Sequence, residues 1–166
     1  MQYTTNDQFK SKNQLLVELF MRQARQDVPV APCIPSLEIR KLRAALLLEE
    51  CLETIEAMGI QVINSSGQQI HIRDIKYREN GPGNIIEVAD GLADLEVVGS
   101  CGTASAFGIA QQPIFEAVAG NNLLKFAPGH SFRADGKLIK PANHPAVTPI
   151  ITKILLAQGA EPADLA

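Results

Sequence analysis

Three carboxylates, Glu49, Glu50 and Glu53, stand in the otherwise apolar run Leu46-Leu47-Leu48-Glu49-Glu50-Cys51-Leu52-Glu53, and three more, Glu87, Asp90 and Asp94, follow further along the chain. On a helix Glu50 and Glu53 lie one turn apart, with Glu49 close in angle to Glu53, and the spacing of Glu87, Asp90 and Asp94 puts them on one face of a second helix. Six carboxylates turned inward from two helices repel one another, and ionised groups of this kind are tolerated in an interior only with paired cations or a metal. The basic residues of the first acidic helix are Arg40, Lys41 and Arg43, and the core of the second has none. An all-oxygen donor set suits a hard divalent cation, most simply Mg²⁺, and the absence of histidine from both helices disfavours zinc. Asp90 and Asp94 carry the most weight, because aspartate is a poor interior helix former. Two plainer readings stand beside this one. Acidic runs are usually solvated helix faces, and Asn84-Ile85-Ile86-Glu87 has the form of a capping box in which Glu87 serves only the Asn84 N–H.

The elements that must position these groups follow from periodicity. Leu15, Leu16, Leu19, Phe20 and Gln23 recur at helical spacing between Phe9 and Gln26. The three prolines of 27–35 predict an extended connector. Ser36 offers an N-cap, with Glu38 in the first turn, to a helix that runs to Met58 and stops at Gly59. That helix is apolar on two sides, which predicts a central place in a bundle and carboxylates that continue a buried stripe. Residues 60–77 change to β-branched alternation around Asn64-Ser65-Ser66-Gly67, a small hairpin inserted between helices. After the breakers of 78–84, a third helix is expected from Ile85 to about Cys101, extending over small residues as far as Gly108. Pro113 suits the first turn of a fourth helix over Ile114–Leu124. Residues 126–149 read as a loop or arm, 147–157 as a short helix, and 161–166 as a fraying end. The expected fold is therefore all-α, a bundle of four or five helices with a small β-hairpin insertion, in a single domain over 1–166 whose C-terminal arm and short helix occupy 126–166.

Composition excludes several classes. With 166 residues, 46% apolar and 20% charged, the chain matches an ordinary globule, and no apolar run approaches the ~20 residues that span a bilayer. A net charge of −3 gives no general attraction to nucleic acid. No secretory signal is recognisable at residues 1–14, and Cys33, Cys51 and Cys101 lack paired spacing, so a cytoplasmic protein with reduced cysteines is expected. His71, His130 and His144 are scattered without ligand spacing, and Gly81-Pro82-Gly83 lacks the strand and the Lys-Ser/Thr of a P-loop.

Taken in order, the motifs resemble the MazG-like all-α NTP pyrophosphohydrolase superfamily, especially its phage-type and phosphoribosyl-ATP-pyrophosphohydrolase-like members. The resemblance runs over roughly residues 9–145. It rests on the Pro-rich lead into Leu42-Arg43, on Glu49-Glu50-Cys51-Leu52-Glu53 as the EExxE helix, on Ala89-Asp90-Gly91-Leu92-Ala93-Asp94-Leu95, on Gly102-Thr103-Ala104 with Phe107-Gly108-Ile109, on Asn122-Leu123-Leu124-Lys125, and on Asp135-Gly136-Lys137 with Lys140. The family's ExxD motif has two registers here. Glu87-Val88-Ala89-Asp90 matches it literally, while Leu92-Ala93-Asp94-Leu95 resembles its usual surroundings. The gap from Glu53 to Glu87 is long for the family, and the inserted hairpin accounts for it. Glu96-Val97 stands where members often have Leu-Tyr.

The resemblance implies hydrolysis of a (deoxy)nucleoside triphosphate between its α- and β-phosphates, giving a monophosphate and pyrophosphate. It implies two or more Mg²⁺ ions, with Mn²⁺ able to substitute, held by Glu50, Glu53, Asp90 and either Glu87 or Asp94. Glu49, Glu50 and Glu53 form the catalytic group, with Glu49 orienting the water or holding a further ion. Asn122 and Lys125 match the family's phosphate contacts, and Lys137 and Lys140 would close over the ligand. Family members complete the nucleotide pocket between subunits, so a homodimer or a dimer of dimers is expected, with no nucleic-acid or membrane partner. The phage-like character points to purine deoxynucleotides, dGTP in control of a phage's nucleotide pool, in the host cytoplasm if the chain is phage-encoded, with house-cleaning of damaged nucleotides and dUTP hydrolysis as open alternatives. The alternatives are a non-catalytic nucleotide- or metal-binding regulatory module on the same scaffold, and a purely structural helical partner.

Overall fold

The computed structural model describes residues 7–132 and 138–165. They form an all-α architecture with little strand, and the chain divides into two compact units, one made of Met1–Pro32 with Ala89–Ala166 and one of Cys33–Val88.

The second unit is built on α2 (Leu37–Ala57), the helix of the first acidic motif, numbered in chain order. Ser36 caps it as its residue type predicts, the hydroxyl accepting from the Ile39 N–H at 3.3 Å. It ends where Gly59 takes φ +76°, a left-handed conformation that costs glycine nothing. The Glu38 carboxyl lies below its ordinary range, through hydrogen bonds to its own backbone and to Ser36 in the first turn. Arg40 reaches Glu79 at 2.9 Å and ties the start of α2 to the loop before α3. Contrary to the expected central placement, no residue of α2 is buried: Leu42 and Leu47 are 49% and 45% exposed. The apolar alternation of 60–72 yields a minimal hairpin. Asn64 Oδ1 accepts from the Ser66 and Gln68 N–H groups across the turn, a single antiparallel bridge pairs Ile63 with Gln69, and Ile70 N donates to Val62 O. Ile72–Asp74 then forms one 3₁₀ turn beside α2.

The first unit begins with α1 (Lys12–Gln23). Its start falls later than the apolar spacing suggests, because Ser11 provides a cap whose hydroxyl accepts from Gln14 N at 3.1 Å. Glu18 is buried and is held by Lys10 and Arg22 at 2.8 and 3.0 Å. The helix α4 (Gln111–Leu123) begins two residues before Pro113. It is joined to α1 by reciprocal amide bonds between Asn13 and Gln112, and Gln158, at the end of α5 (Thr148–Ala157), brackets the Ala110 backbone. Edge-to-face aromatic contacts run from Phe20 to Phe126, from Phe126 to His130, and from His130 to Phe132. The expected arm carries the fold's one two-stranded ladder among the described residues, β1 (Ser131–Phe132) against β2 (Leu138–Ile139), antiparallel. The stretch 162–165, expected to fray, forms a 3₁₀ turn.

Helix α3 (Ile85–Asp94) starts in the second unit and passes into the first. It continues as a π-helix over Leu95–Thr103 and one α-turn, Ala104–Ala106, before Gly108 ends it at φ +68°. Within this π-helix the Thr103 hydroxyl donates to Val98 O, five residues back, at 3.0 Å. Gly102 is required there, since a Cβ would lie 2.7 Å from Val97 O.

Candidate active site

Glu49 and Glu53 lie one turn apart on a single face of α2, and Glu56 continues that face toward the C-terminus. With Leu52 they form the helical wall of a cavity of about 290 Å³. The facing wall belongs to the hairpin segment, with Gln61, Gln69, His71 and Arg73 as its polar side chains and Ile60, Val62, Ile70 and Ile72 as its apolar ones. Gln61 Nε2 donates to Gln69 Oε1 at 2.8 Å, and the bridge at Ile63 and Gln69 holds the two amides at this edge. Glu49 is half-buried, whereas Glu53 and Glu56 are exposed.

Glu50 is exposed and does not line this cavity. The sequence placed the α2 carboxylates on a buried stripe, but in the folded chain Glu49 is half-buried and Glu50 and Glu53 are exposed. Glu87 stands in the first turn of α3 and is exposed. Its capping-box geometry does not form as such: Asn84 Oδ1 accepts from Ile86 N at 3.1 Å, and Asn84 O from Val88 N. Asp90 and Asp94 follow on the same face of α3, both exposed, in the first unit.

Among the described residues, Glu49, Glu50, Glu53, Glu87, Asp90 and Asp94 enter no ion pair with Lys or Arg. Nor do three or more His, Cys, Asp or Glu side chains gather closely enough to hold a metal ion by themselves. The donor set nevertheless fits Mg²⁺, which is ordinarily held by one or two carboxylates together with water and substrate phosphate oxygens. Carboxylates at one-turn spacing on α2 can supply such a pair.

Two of the candidate phosphate-binding lysines fall in the first unit. Lys125 lies in the 3₁₀ turn Leu124–Phe126 after α4, and Lys140 follows β2. The pKa of His144 is lowered, first by burial and then by the charges of Lys140 and Lys125. His144 Nε2 meets Asn121 Oδ1 at 2.8 Å, and Asn121 Nδ2 donates to Pro145 O at 2.9 Å. Asn121 is buried, while its neighbour Asn122 is half-buried. Lys137 lies outside the described residues.

Several of these residues carried no signal that spacing alone could raise. His71 sits in Ile70-His71-Ile72, which reads as strand alternation, and Gln61, Gln69 and Arg73 are ordinary surface types until the hairpin folds beside α2. Glu56 could have been found, since it stands three residues beyond Glu53 on the same face.

No family model matches the chain, and no curated protein matches it. Among solved structures it is similar to the crystal structure of a "putative NTP pyrophosphohydrolase" from Exiguobacterium sp. 255-15, with a TM-score of 0.67, 18% sequence identity, and coverage of 90% of this chain and 96% of that one. At that identity the likeness establishes the fold, and it does so over nearly the full length of both chains.

Proposed function

We propose that the protein is a Mg²⁺-dependent (deoxy)nucleoside triphosphate pyrophosphohydrolase that cleaves (d)NTP to (d)NMP and pyrophosphate, in the manner of the MazG-like superfamily. The observation that carries this reading is the pair Glu49 and Glu53, without an ion pair among the described residues, on one face of α2 at the edge of a ligand-sized cavity. The fold shared with a protein named for this activity supports it. Bound Mg²⁺ would supply charge neutralisation on the triphosphate and lower the pKa of water. Glu53 and Glu50, with Asp90 and either Glu87 or Asp94, are the residues to hold it. Glu49, half-buried, orients the water and accepts its proton as the oxygen adds to phosphorus and the bridge between the α- and β-phosphates breaks. Asn122, Lys125 and Lys140 bind phosphate oxygens, and the neutral His144 beside the lysines adds no further charge to that patch. Lys137 is assigned the same role on sequence alone.

Self-association belongs to this reading. Ile86, Val88, Leu92, Val97 and Val98 are all about half exposed or more along α3 and its π-helical continuation, and apolar exposure on this scale marks a protein interface. A homodimer or dimer of dimers would cover it, and a monomer at micromolar concentration would refute that part. The preference for dGTP and a role in a phage's nucleotide pool extend the same proposal.

The test is to incubate the protein with each (d)NTP and Mg²⁺ or Mn²⁺ and identify the products. Monophosphate with pyrophosphate is expected; diphosphate with inorganic phosphate, or no turnover of any nucleotide, overturns the reading. A binding module that does not turn nucleotide over is favoured by one observation, that no three ligand side chains are gathered among the described residues. It would show nucleotide binding with no product.

A further inference from the structure

The arm that carries β1, β2 and Lys140 is fastened to the end of α4 at both of its ends, and hydrolysis as described makes no use of the fastening. At the first anchor Phe126 meets His130 edge-to-face, and His130 meets Phe132 of β1 in the same way. At the second, the buried Asn121 donates from Nδ2 to Pro145 O at 2.9 Å and accepts on Oδ1 from His144 Nε2 at 2.8 Å. The step from this anchor back to Lys140 is short and stiff. His144 N donates to Pro141 O at 3.0 Å, closing the turn that directly follows Lys140. Pro141 has a fixed φ and holds Lys140 in extended backbone. On the helix side, Lys125 lies about one turn beyond Asn121. The charges of both lysines act on His144, one from the end of α4 and one from the arm. His144 Nδ1 is buried without a hydrogen-bond partner among the described residues. An apolar side chain would pack there without stranding an acceptor, but only a directed bond to a buried amide fixes the angle at which the turn leaves the helix.

We propose that Asn121 and His144 are positioning residues for phosphate binding, pinning the arm to α4 so that Lys140 serves the same polyphosphate anion as Lys125. Neither residue touches the anion. His144 acts through Lys140, whose exposed side chain would otherwise lose rotational and backbone freedom only on binding, at a cost in affinity. The proposal rests on the pyrophosphohydrolase reading for the nature of the anion, and the anchoring is independent of it.

The experiment is a double-mutant cycle, with kcat and KM measured separately for the best-used (d)NTP with Mg²⁺. His144→Ala and Lys140→Ala should each raise KM by about tenfold with kcat nearly unchanged. A purely stabilising role for His144 would instead lower the folded fraction, and with it kcat, and leave KM alone. Because His144 acts through Lys140, adding His144→Ala to Lys140→Ala should cost less than about a further twofold. His144→Gln, whose amide can donate to Asn121 Oδ1, should keep KM near the wild-type value. An unchanged KM in His144→Ala, losses that multiply in the double variant, or a KM for His144→Gln as high as for His144→Ala would overturn the proposal. If His144→Ala melts below the assay temperature, His144→Leu, which fills the space without the donor, takes its place. If the wild type hydrolyses nothing, the functional reading fails by itself, and calorimetry with inorganic pyrophosphate and Mg²⁺ decides the positioning in the same cycle. Coupled losses of affinity would sustain it; multiplying losses, or no binding to the wild type, would end it.

Discussion

Replacing Asn121 tests whether the cationic end of α4 is held in place by one buried amide. Asn121 is 9% exposed, donates to Pro145 O at 2.9 Å and accepts from His144 at 2.8 Å. Because Nδ2 is committed to a carbonyl, Oδ1 faces the imidazole as an acceptor. The proton of neutral His144 therefore sits on Nε2, and Nδ1 is an acceptor, buried and without a partner among the described residues. Burial first, and then the field of Lys140 and Lys125, lower the pKa of His144, and protonation would place a hydrogen on Nδ1 where no acceptor stands among the described residues. Asn121→Ala removes two hydrogen bonds at about 1 kcal/mol each and strands the Pro145 carbonyl, a loss of about 2–3 kcal/mol. At about 2–4 °C per kcal/mol for a chain of this size, the melting temperature should fall by about 4–12 °C. The pH dependence has a definite sign. With the folded pKa below the ordinary 6.5, the unfolded chain binds more protons between the two values, so the stability contribution is full above pH 6.5 and is lost as pH falls through the folded pKa. Asn121→Asp keeps an acceptor for Nε2 but adds a carboxylate, which favours the imidazolium and should weaken or reverse that slope. Thermal melts of the wild type and both variants between pH 5 and pH 8 would check this. A change under about 1 °C for Asn121→Ala, or the same slope in wild type and Asn121→Asp, would refute the reasoning.

Glu49→Gln and Glu53→Gln should each lower kcat for pyrophosphate release by about 10²-fold or more, the scale of a lost acid–base or metal-holding group, with circular dichroism unchanged because neither side chain forms an ion pair among the described residues. Ser36→Ala should cost about 1 kcal/mol in a denaturant melt through loss of the α2 cap. Gly59→Ala and Gly102→Ala should both destabilise, for different reasons. At Gly59 there is open space but φ is +76°, a cost of about 1–2 kcal/mol that asparagine should partly relieve. At Gly102 the Cβ meets the Val97 carbonyl, and no residue with a Cβ should relieve it. Sedimentation of Val97→Asp should show a smaller species than the wild type.

The all-α class and most helix ends were legible because they depend on local chemistry. Ser36 and Gly59 bound α2 as their residue types require, and Gly108 stops the α3 continuation. The start of α1 at Ser11 and the position of Pro113 inside α4 differ from the apolar pattern by a few residues, since a side-chain cap fixes an end more sharply than periodicity does. The ladder between Phe132 and Leu138 was not legible, because two-residue strands carry no period to read. Glu49 and Glu53 were picked out by spacing, and in the folded chain both line the cavity beside α2; the hairpin groups opposite them acquire meaning only through a tertiary contact between α2 and residues 60–73. Burial was the least legible property. Apolar residues on two sides of α2 implied a buried helix, whereas Leu42 and Leu47 are open in the folded chain.

That last difference follows from what a sequence pattern measures. Apolar periodicity reports that a face is suited to burial and is silent on whether the covering surface comes from the same chain. Helix α3 is the clearest case. Ile85, Val88, Leu92 and Leu95 fall on one stripe and Glu87, Asp90 and Asp94 on the opposite one, and both are exposed. A helix stable in water for its own sake would not keep two such faces open, since an exposed apolar stripe is the surface that association covers. Covering the apolar stripe with a second copy would leave the acidic one free for cations and phosphate. If so, a charge placed on the apolar stripe, as in Leu92→Lys, should lower the oligomeric state and the apparent Mg²⁺ affinity together, whereas Asp90→Asn should lower Mg²⁺ affinity alone. Loss of assembly with undiminished Mg²⁺ binding would separate the two faces and refute the link between them.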